Sequence, residues 1–538
     1  MSIYIFLLLF GFFVYIWPFV RQQVHMLQLN SYRNERYIEW LKKQTRREAS
    51  YLMFGLIIIN FTIGKVMPLT VFYLFHAMLF LVLRLINKHE AEKKPLVFTW
   101  RIRRLLFSLG LLCSLIIVLL CILLKATFWM DIPLILGIIN LLLPGLVLLT
   151  NKVNGPWEKQ IAKGYTAEAK QLLASRPTLK VIGVTGSYGK TSTKYVLNQL
   201  LAVKYQVLMT PESFNTPMGV VRTIREQLNG THEIFIAEMG ARNIGDIKEI
   251  CDIVSPDLGI ISSVGEQHLE TFKSIDNVIT TKFELAQAVT QKGGTMFLNF
   301  SNSHIRQHSK TGNCIRYGVV STEKDPAKVY DLWADQLCSG PQGSTFNICR
   351  PSGEKVAFAT RLLGEHNVLN IVAAVAVALS LGITIEQLVP AVYRLEPVPH
   401  RLQLLKGNGR YQIIDDAYNS NPQGAEEAVK TLGTFSGFRV LITPGMVELG
   451  TKEEDLNRQF GRQAAKYCDY LILVGANRAA PIKKGAKHAG FSEDKIYVAK
   501  DIYDALSMAD TLAATLGADE GPMYVLLEND LPDNYLEK

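Results

Sequence analysis

An α-helical transmembrane region followed by two α/β domains is the fold class that this 538-residue sequence predicts, and three observations predict it. Apolar stretches long enough to cross a bilayer crowd the first 150 residues. Short apolar strands alternate with helical patterns over 177–395 and again over 410–530. A strand at Leu179–Val184 breaks into a glycine-rich turn that opens a helix. One hydrophobic core stops growing near roughly 250–300 residues, so a chain of this length divides. The expected parts are a transmembrane region at 1–150, a polar helical linker at 151–178, a central domain at 179–395 and a C-terminal domain at 396–538, with a hinge around Leu395–Gly409.

A spanning helix needs about 20 apolar residues to cross roughly 30 Å of hydrocarbon. Ile3–Val20 is nearly long enough alone and has no basic leader or small-residue cleavage site, so it reads as a span. Tyr51–Ile86 is too long for one crossing and holds Lys65 and Pro68 near its middle, which predicts two helices turning there. Leu105–Leu124 and Ile132–Thr150, divided by a loop with Lys125, Phe128, Trp129 and Asp131, bring the expected count to five. Loop 21–50 carries Arg21, Arg33, Arg36, Lys42, Lys43, Arg46 and Arg47, and loop 87–104 carries Lys88, Lys93, Lys94, Arg101, Arg103 and Arg104. The positive-inside rule puts both loops, and everything after residue 150, in the cytoplasm, with the N-terminus outside.

Charge divides at the same boundary. Residues 1–150 hold 16 Lys and Arg against 6 Asp and Glu, whereas the remainder holds 41 against 42. The basic excess therefore belongs to the apolar half and points to anionic membrane lipid as partner, not to nucleic acid, which would place it on the folded domains. Tyr32, Arg33, Arg36, Tyr37 and Trp40 interleave cationic and aromatic residues in loop 21–50, a composition suited either to plain anchoring or to a lipid-linked, diphosphate-bearing substrate. The 7 cysteines form no C-x-x-C pair and read as reduced thiols.

The turn after the strand is Thr185-Gly186-Ser187-Tyr188-Gly189-Lys190-Thr191-Ser192. Strand, glycine loop and helix form the context of a phosphate-binding loop. Glycines let backbone N–H groups approach phosphates, the helix N-terminus adds positive partial charge, Lys190 neutralises the terminal phosphates and Thr191 can hold Mg²⁺. The general pattern places a glycine where Val184 stands, and Gly183 lies one residue early.

The form Gly-x-Thr-Gly-Ser-x-Gly-Lys-Thr resembles the loop of the Mur ligases, ATP-dependent enzymes that build the peptide stem of peptidoglycan, and further points along the chain match in order. Ser213–Gly219 resembles the family's Asn-x-x-x-Gly segment; Ile234–Gly240 is a strand ending in Glu238, where the family places a magnesium-binding Glu. His268, after Gly265-Glu266-Gln267, matches a residue of the second metal, and Lys282 matches a lysine that many members carbamylate. Leu298-Asn299 resembles the adenine-contacting strand end, and Gly364–Asn370 the Gly-x-His-Asn-x-x-Asn helix start that contains Asn367. Pro399-His400-Arg401 resembles the hinge whose Arg reaches the γ-phosphate, Asp416 in Ile414–Pro422 would contact the ribose, and Pro444–Gly450 resembles a further segment of the members that add D-alanyl-D-alanine.

The resemblance covers about residues 179–500 and implies a phosphate-loop central domain with a mainly parallel sheet and a Rossmann-like C-terminal domain. It also implies ATP held by Gly186, Ser187, Gly189, Lys190, Thr191, Ser192, Asn299, Asn367, Arg401 and Asp416. Two Mg²⁺ ions at Thr191, Glu238, His268 and Lys282 follow from it, as does catalysis by Lys190, His268, Lys282 and Arg401 through an acyl-phosphate. The partners it implies are a cell-envelope precursor and an amino acid or dipeptide, at a bacterial membrane. Two departures stand out: membrane spans replace the soluble UDP-sugar domain, and Leu527-Glu528-Asn529-Asp530 stands where the D-alanyl-D-alanine ligase has a Lys-Gly-Ser strand end. A poly-γ-glutamate-type synthase and a non-catalytic nucleotide-binding membrane scaffold are the competing readings.

Overall fold

The computed structural model describes residues 2–43, 55–56, 58–59, 67–86, 95–123, 131–211, 214–266, 269–309, 312–320, 323–405, 409–418, 420–447, 449–517 and 521–530. The chain forms two compact units that divide near Lys163 and Gly164.

The first unit is helical. Among the described residues, four helices are long and apolar enough to cross a membrane: Ile3–Leu29, Leu69–Ile86, Trp100–Ile122 and Ile132–Ala174. The first arm of the pair expected in Tyr51–Ile86 lies mostly outside the described residues, as do Lys65, Lys125, Phe128 and Trp129. The opening helix, Ser2–Leu29, runs past the expected end at Val20 because Val24 and Leu27 are buried; much of the expected loop 21–50 is thus helix, continued by Asn34–Lys43. The last helix likewise passes through Thr150 without a break and takes in most of the expected linker.

Helices Ser2–Leu29 and Leu69–Ile86 meet closely, since a Cβ on Gly11 would lie 2.8 Å from the Ala77 carbonyl oxygen. Phe12 and Phe80 meet edge to face with centroids 5.3 Å apart. Two pairs of polar side chains meet within this core: Tyr37 Oη donates to Gln23 Oε1 at 2.5 Å, and Asn140 Nδ2 donates to Tyr15 Oη at 3.3 Å. Phe107, Leu111, Leu115, Val118 and Ile122, by contrast, leave one helix with a wide exposed apolar surface.

The second unit contains two sheets. Strands β1 (Lys180–Thr185), β2 (Val207–Met209), β3 (Ile234–Glu238), β4 (Leu258–Ile261), β5 (Thr295–Asn299), β6 (Cys314–Val319), β7 (Leu332–Gly340), β8 (Gly343–Cys349) and β9 (Lys355–Thr360) form a nine-stranded sheet. Its order is β2-β3-β1-β4-β5-β6-β7-β8-β9, parallel as far as β7 and antiparallel across β7-β8-β9. Neighbouring β1 side chains enter opposite cores. Ile182 packs with Val196, Leu197 and the buried Ala-rich helix Glu365–Ser380, while Val181 packs with Phe235, Ile250 and Leu285. Burial on both faces explains the apolar runs of β1 and β3.

Strands β10 (Gln403–Leu405), β11 (Tyr411–Asp416), β12 (Phe438–Thr443), β13 (Tyr470–Val474), β14 (Ile496–Ala499) and β15 (Met523–Glu528) form the second sheet, in the order β10-β11-β15-β12-β13-β14. Only its β10–β11 pairing is antiparallel among the described residues. The central and C-terminal domains are thus mixed-sheet α/β layers, and the rhythm of strand and helix fails at the antiparallel edge, where hairpin turns replace crossover helices.

Candidate active site

The carboxyl ends of β1, β3, β4 and β5 carry the site, the usual place for ligands in a parallel sheet. After β1 the chain turns through Gly186 and Gly189 into helix Lys190–Leu201. Gly189 has φ 76°, and a Cβ on Gly186 would sit 2.1 Å from Ser262 Oγ and 2.9 Å from the Ser263 amide nitrogen. The loop is stitched to the segment after β4. Tyr188 N–H donates to Ser263 Oγ at 2.6 Å, Ser262 Oγ and Ser263 Oγ donate to the Tyr188 carbonyl at 2.5 and 2.9 Å, and Ser187 exchanges hydrogen bonds with the Gly265 backbone at 3.0 and 3.1 Å.

Lys190 Nζ donates to the carbonyls of Gly186 and Ser187 at 2.7 and 3.0 Å, so the ammonium lies within its own loop. Burial pulls its pKa down to about 8, with Arg401 acting in the same direction and Glu238 against it. Thr191 Oγ1 donates to Glu238 Oε1 at 3.0 Å, and Asn215 Nδ2 to the same oxygen at 3.2 Å. The other carboxylate oxygen faces Lys194 Nζ at 2.9 Å, an ion pair with both side chains buried. The hydroxyl and carboxylate oxygens at Thr191 and Glu238 are the hard donors that Mg²⁺ takes, so the residues fit the ion. His268 lies outside the described residues.

Lys282, on helix Ile275–Gln291, is buried, and burial together with Lys190 pushes its pKa well below the ordinary value. Asn299 ends β5 and donates to the Ser262 carbonyl at 2.7 Å, which ties two strand ends together. Ser192 is buried on the helix after the loop. Asn367 Nδ2 donates to the Leu363 carbonyl at 2.9 Å, while Asn370 accepts from Thr193 Oγ1 at 2.9 Å and lies against Gly189.

The hinge brings the second sheet to this site. His400 and Leu402 take positive φ values of 60° and 44°, flanking Arg401, whose guanidinium stands 4.7 Å from the Tyr418 ring centroid. Arg401 acts electrostatically on both Lys190 and half-buried His366, and desolvation together with this cation holds His366 down at about 4. Asp416 accepts from the Leu402 N–H at 3.2 Å; burial raises its pKa to about 7, Arg401 opposes the rise, and Glu528 adds to it.

Glu528 points into the fold. Its carboxylate accepts from Thr443 Oγ1 at 2.6 Å and from the Ser420 hydroxyl, while Asn529 Nδ2 donates to the Gly445 carbonyl at 2.6 Å. These residues knit three strand-end loops together. The structure thus gathers the loop residues, Glu238, Lys282, Asn299, Asn367, Arg401 and Asp416 around the carboxyl ends of the two sheets, with Asn215 and Asn370 of the Ser213–Gly219 and Gly364–Asn370 segments beside them, and it adds Lys194, which the sequence motifs do not contain. Lys194 repeats Lys190 one helical turn later, a spacing that could have signalled it.

Residues 184–378 match the Mur ligase middle domain, and residues 400–519 match the Mur ligase, glutamate ligase domain. The UDP-N-acetylmuramoyl-tripeptide–D-alanyl-D-alanine ligase of Bacillus subtilis is 30% identical over 341 residues, which cover 63% of this chain and 70% of that one. The chain belongs to the Mur ligase family. As a Mur ligase it is an ATP-dependent, ADP-forming enzyme, which accounts for the phosphate loop at Gly186–Lys190. A similarly named ligase of Mycobacterium tuberculosis is 32% identical over 329 residues, 59% of this chain and 62% of that relative. MurF from Acinetobacter baumannii shares the fold with a TM-score of 0.61 and 25% identity, over 70% of this Mur ligase and 78% of that structure.

Proposed function

We propose that this Mur ligase is membrane-anchored and joins an amino acid or a D-alanyl-D-alanine-like dipeptide to a cell-wall precursor at the inner leaflet. The observation that carries the reading is that one chain holds both a complete phosphate cradle around Lys190 and four helices long and apolar enough to cross a membrane. The substrates for which the relatives are named, the UDP-muramoyl tripeptide and D-alanyl-D-alanine, support the chemical class.

A carboxylate is a poor electrophile, so amide formation needs activation. In this reading the acceptor carboxylate attacks the γ-phosphorus of ATP, the bond to the β,γ-bridging oxygen breaks, and ADP leaves. The amine then attacks the acyl carbon, phosphate departs with the C–O electron pair, and the amine loses its proton. Lys190 and Arg401 offset charge on the transferring group, which is the main task in phosphoryl transfer. Asp416 holds the ribose, and Gly186, Ser187, Gly189 and Ser192 frame the phosphates, with Asn299 and Asn367 fixing the surrounding strand and helix ends. Mg²⁺ would be held at Thr191 and Glu238, with His268 and Lys282 at a second ion, and supplies charge neutralisation between carboxylate and phosphate. Burial beside Lys190 favours a neutral Lys282 amine, the form that adds CO₂, and a carbamate there would turn a repulsive pair into an attractive one.

Membrane lipid is the partner we assign to the first unit. Arg101 lies 3.7 Å above the Tyr32 ring and Arg103 lies 4.8 Å from the Trp100 ring, while Arg104 is neutralised by Glu158 at 2.7 Å. Stacked guanidiniums at the start of an apolar helix suit anionic headgroups on the cytoplasmic side.

The test is ADP and phosphate release by the detergent-purified chain. D-alanyl-D-alanine, single amino acids and glutamate serve as amines, UDP-muramoyl peptide and lipid-linked precursors as acceptors, and Lys190→Ala as control. Turnover that requires both an acceptor and an amine, and disappears in the variant, supports the reading and names the substrates. Glutamate chain extension would replace it with a polyglutamate synthase, and failure of every pair would overturn the proposed substrate class.

A further inference from the structure

We infer that the Glu266–Lys452 ion pair is a positioning tie that holds the C-terminal domain against the phosphate loop when the two domains close. Lys452 Nζ meets Glu266 Oε1 at 2.5 Å across 186 residues of chain. Lys452 ends the 3-10 turn Gly450–Lys452, directly after the Pro444–Gly450 segment, whose Met446 and Leu449 are buried in the second sheet's core. That core fixes the turn from which the lysine projects.

Glu266 stands at the other end of a short path to the reacting phosphates. Its neighbour Gly265 exchanges hydrogen bonds with Ser187 at 3.0 and 3.1 Å, and a Cβ on Gly265 would strike the Tyr188 ring at 2.6 Å. Tyr188 is in turn bonded through its backbone to Ser262 and Ser263. A pull on Glu266 therefore reaches Ser187 and Tyr188 through direct contacts. Near the expected hinge a second contact exists, Glu396 N–H donating to Gln199 Oε1 at 3.0 Å on the helix that follows the phosphate loop. Lys452 and Glu266 are partly exposed, at 56% and 36%, which makes the tie reversible and salt-sensitive.

Zero-length carbodiimide coupling of the full chain in detergent, followed by peptide mass spectrometry, tests the contact without relying on turnover. A Glu266–Lys452 isopeptide is expected, with a higher yield when ADP is added. The Lys292–Asp257 pair, 2.8 Å apart within one domain, is the internal control. Control coupling without any Glu266–Lys452 product would overturn the inference.

The second arm reads ATP turnover. Lys452→Glu and Glu266→Lys are each expected to lower kcat about two- to fivefold, the range an exposed ion pair supports, and the double swap is expected to restore it. Raised salt should slow the wild type and leave Lys452→Ala unaffected. Single variants at full rate, or a double swap no better than its parents, would refute the positioning role even if the isopeptide forms.

Discussion

Lys190 is the residue on which charge and geometry bear most directly. Its ammonium is sheltered by its own loop and its pKa is brought down to about 8, so above that pH the cradle loses its principal positive charge before nucleotide arrives. Phosphate oxygens restore the proton on binding, because an adjacent anion favours the charged form. Nucleotide affinity should accordingly be level near pH 7 and fall by up to about tenfold per unit well above pH 8. Titration with a fluorescent ATP analogue between pH 6.5 and 9.5 measures this, and Lys190→Arg should flatten the profile; an equally flat wild-type curve would contradict it. Lys194 carries a structural charge. Replacing it with Met strands the Glu238 carboxylate in the core, and loss of one partner from a buried pair costs about 3–5 kcal/mol. The thermal unfolding midpoint of the catalytic unit should fall by several degrees, whereas Lys194→Arg should recover part of the loss.

At the scale of elements, the loop between β1 and helix Lys190–Leu201 is set by a steric limit. Gly186 has φ 157° and leaves no room beside Ser262, so Gly186→Ala must displace either the serine or the loop. The expected result is a chain that keeps its helical content by circular dichroism but loses at least tenfold in nucleotide affinity; unchanged binding would show that the loop yields. This element was legible in the sequence because strand, glycines and Lys-Thr must fall in one contiguous order. Glu238 was legible for a similar reason, as the acid closing an apolar strand. Lys194 was not, since a lysine on a helix is ordinarily solvated, and only the fold shows β3 ending opposite it. The antiparallel edge β7-β8-β9 was hidden because short apolar strands look alike whether a helix or a hairpin joins them. Glu528 reads in the sequence only as part of a departure from a Lys-Gly-Ser strand end, and the fold shows Ser420 and Thr443 holding it, contacts between residues more than 80 positions apart.

For the whole molecule, under the proposed membrane anchoring, the parity of crossings decides whether the ATP site and the N-terminus share a side. The sequence predicts five spans, and four apolar helices stand among the described residues, with the fifth segment mostly outside them. An odd count places the N-terminus outside and residue 338 inside; an even count places both on one side. Cys338 is exposed whereas the other six thiols are buried or half-buried, so it reports the catalytic unit without mutation, and Ile3→Cys, at an exposed position, reports the N-terminus. The clustering of Arg101, Arg103 and Arg104 at one end of the Trp100–Leu123 helix argues that this end faces the cytoplasm, as the positive-inside rule requires. A membrane-impermeant maleimide applied to spheroplasts should therefore label Ile3→Cys but reach Cys338 only after lysis. Labelling of Cys338 in intact spheroplasts would put the ligase domains outside, away from ATP, and overturn the orientation; protection of both sites until lysis would keep the ligase inside and replace five crossings with an even number.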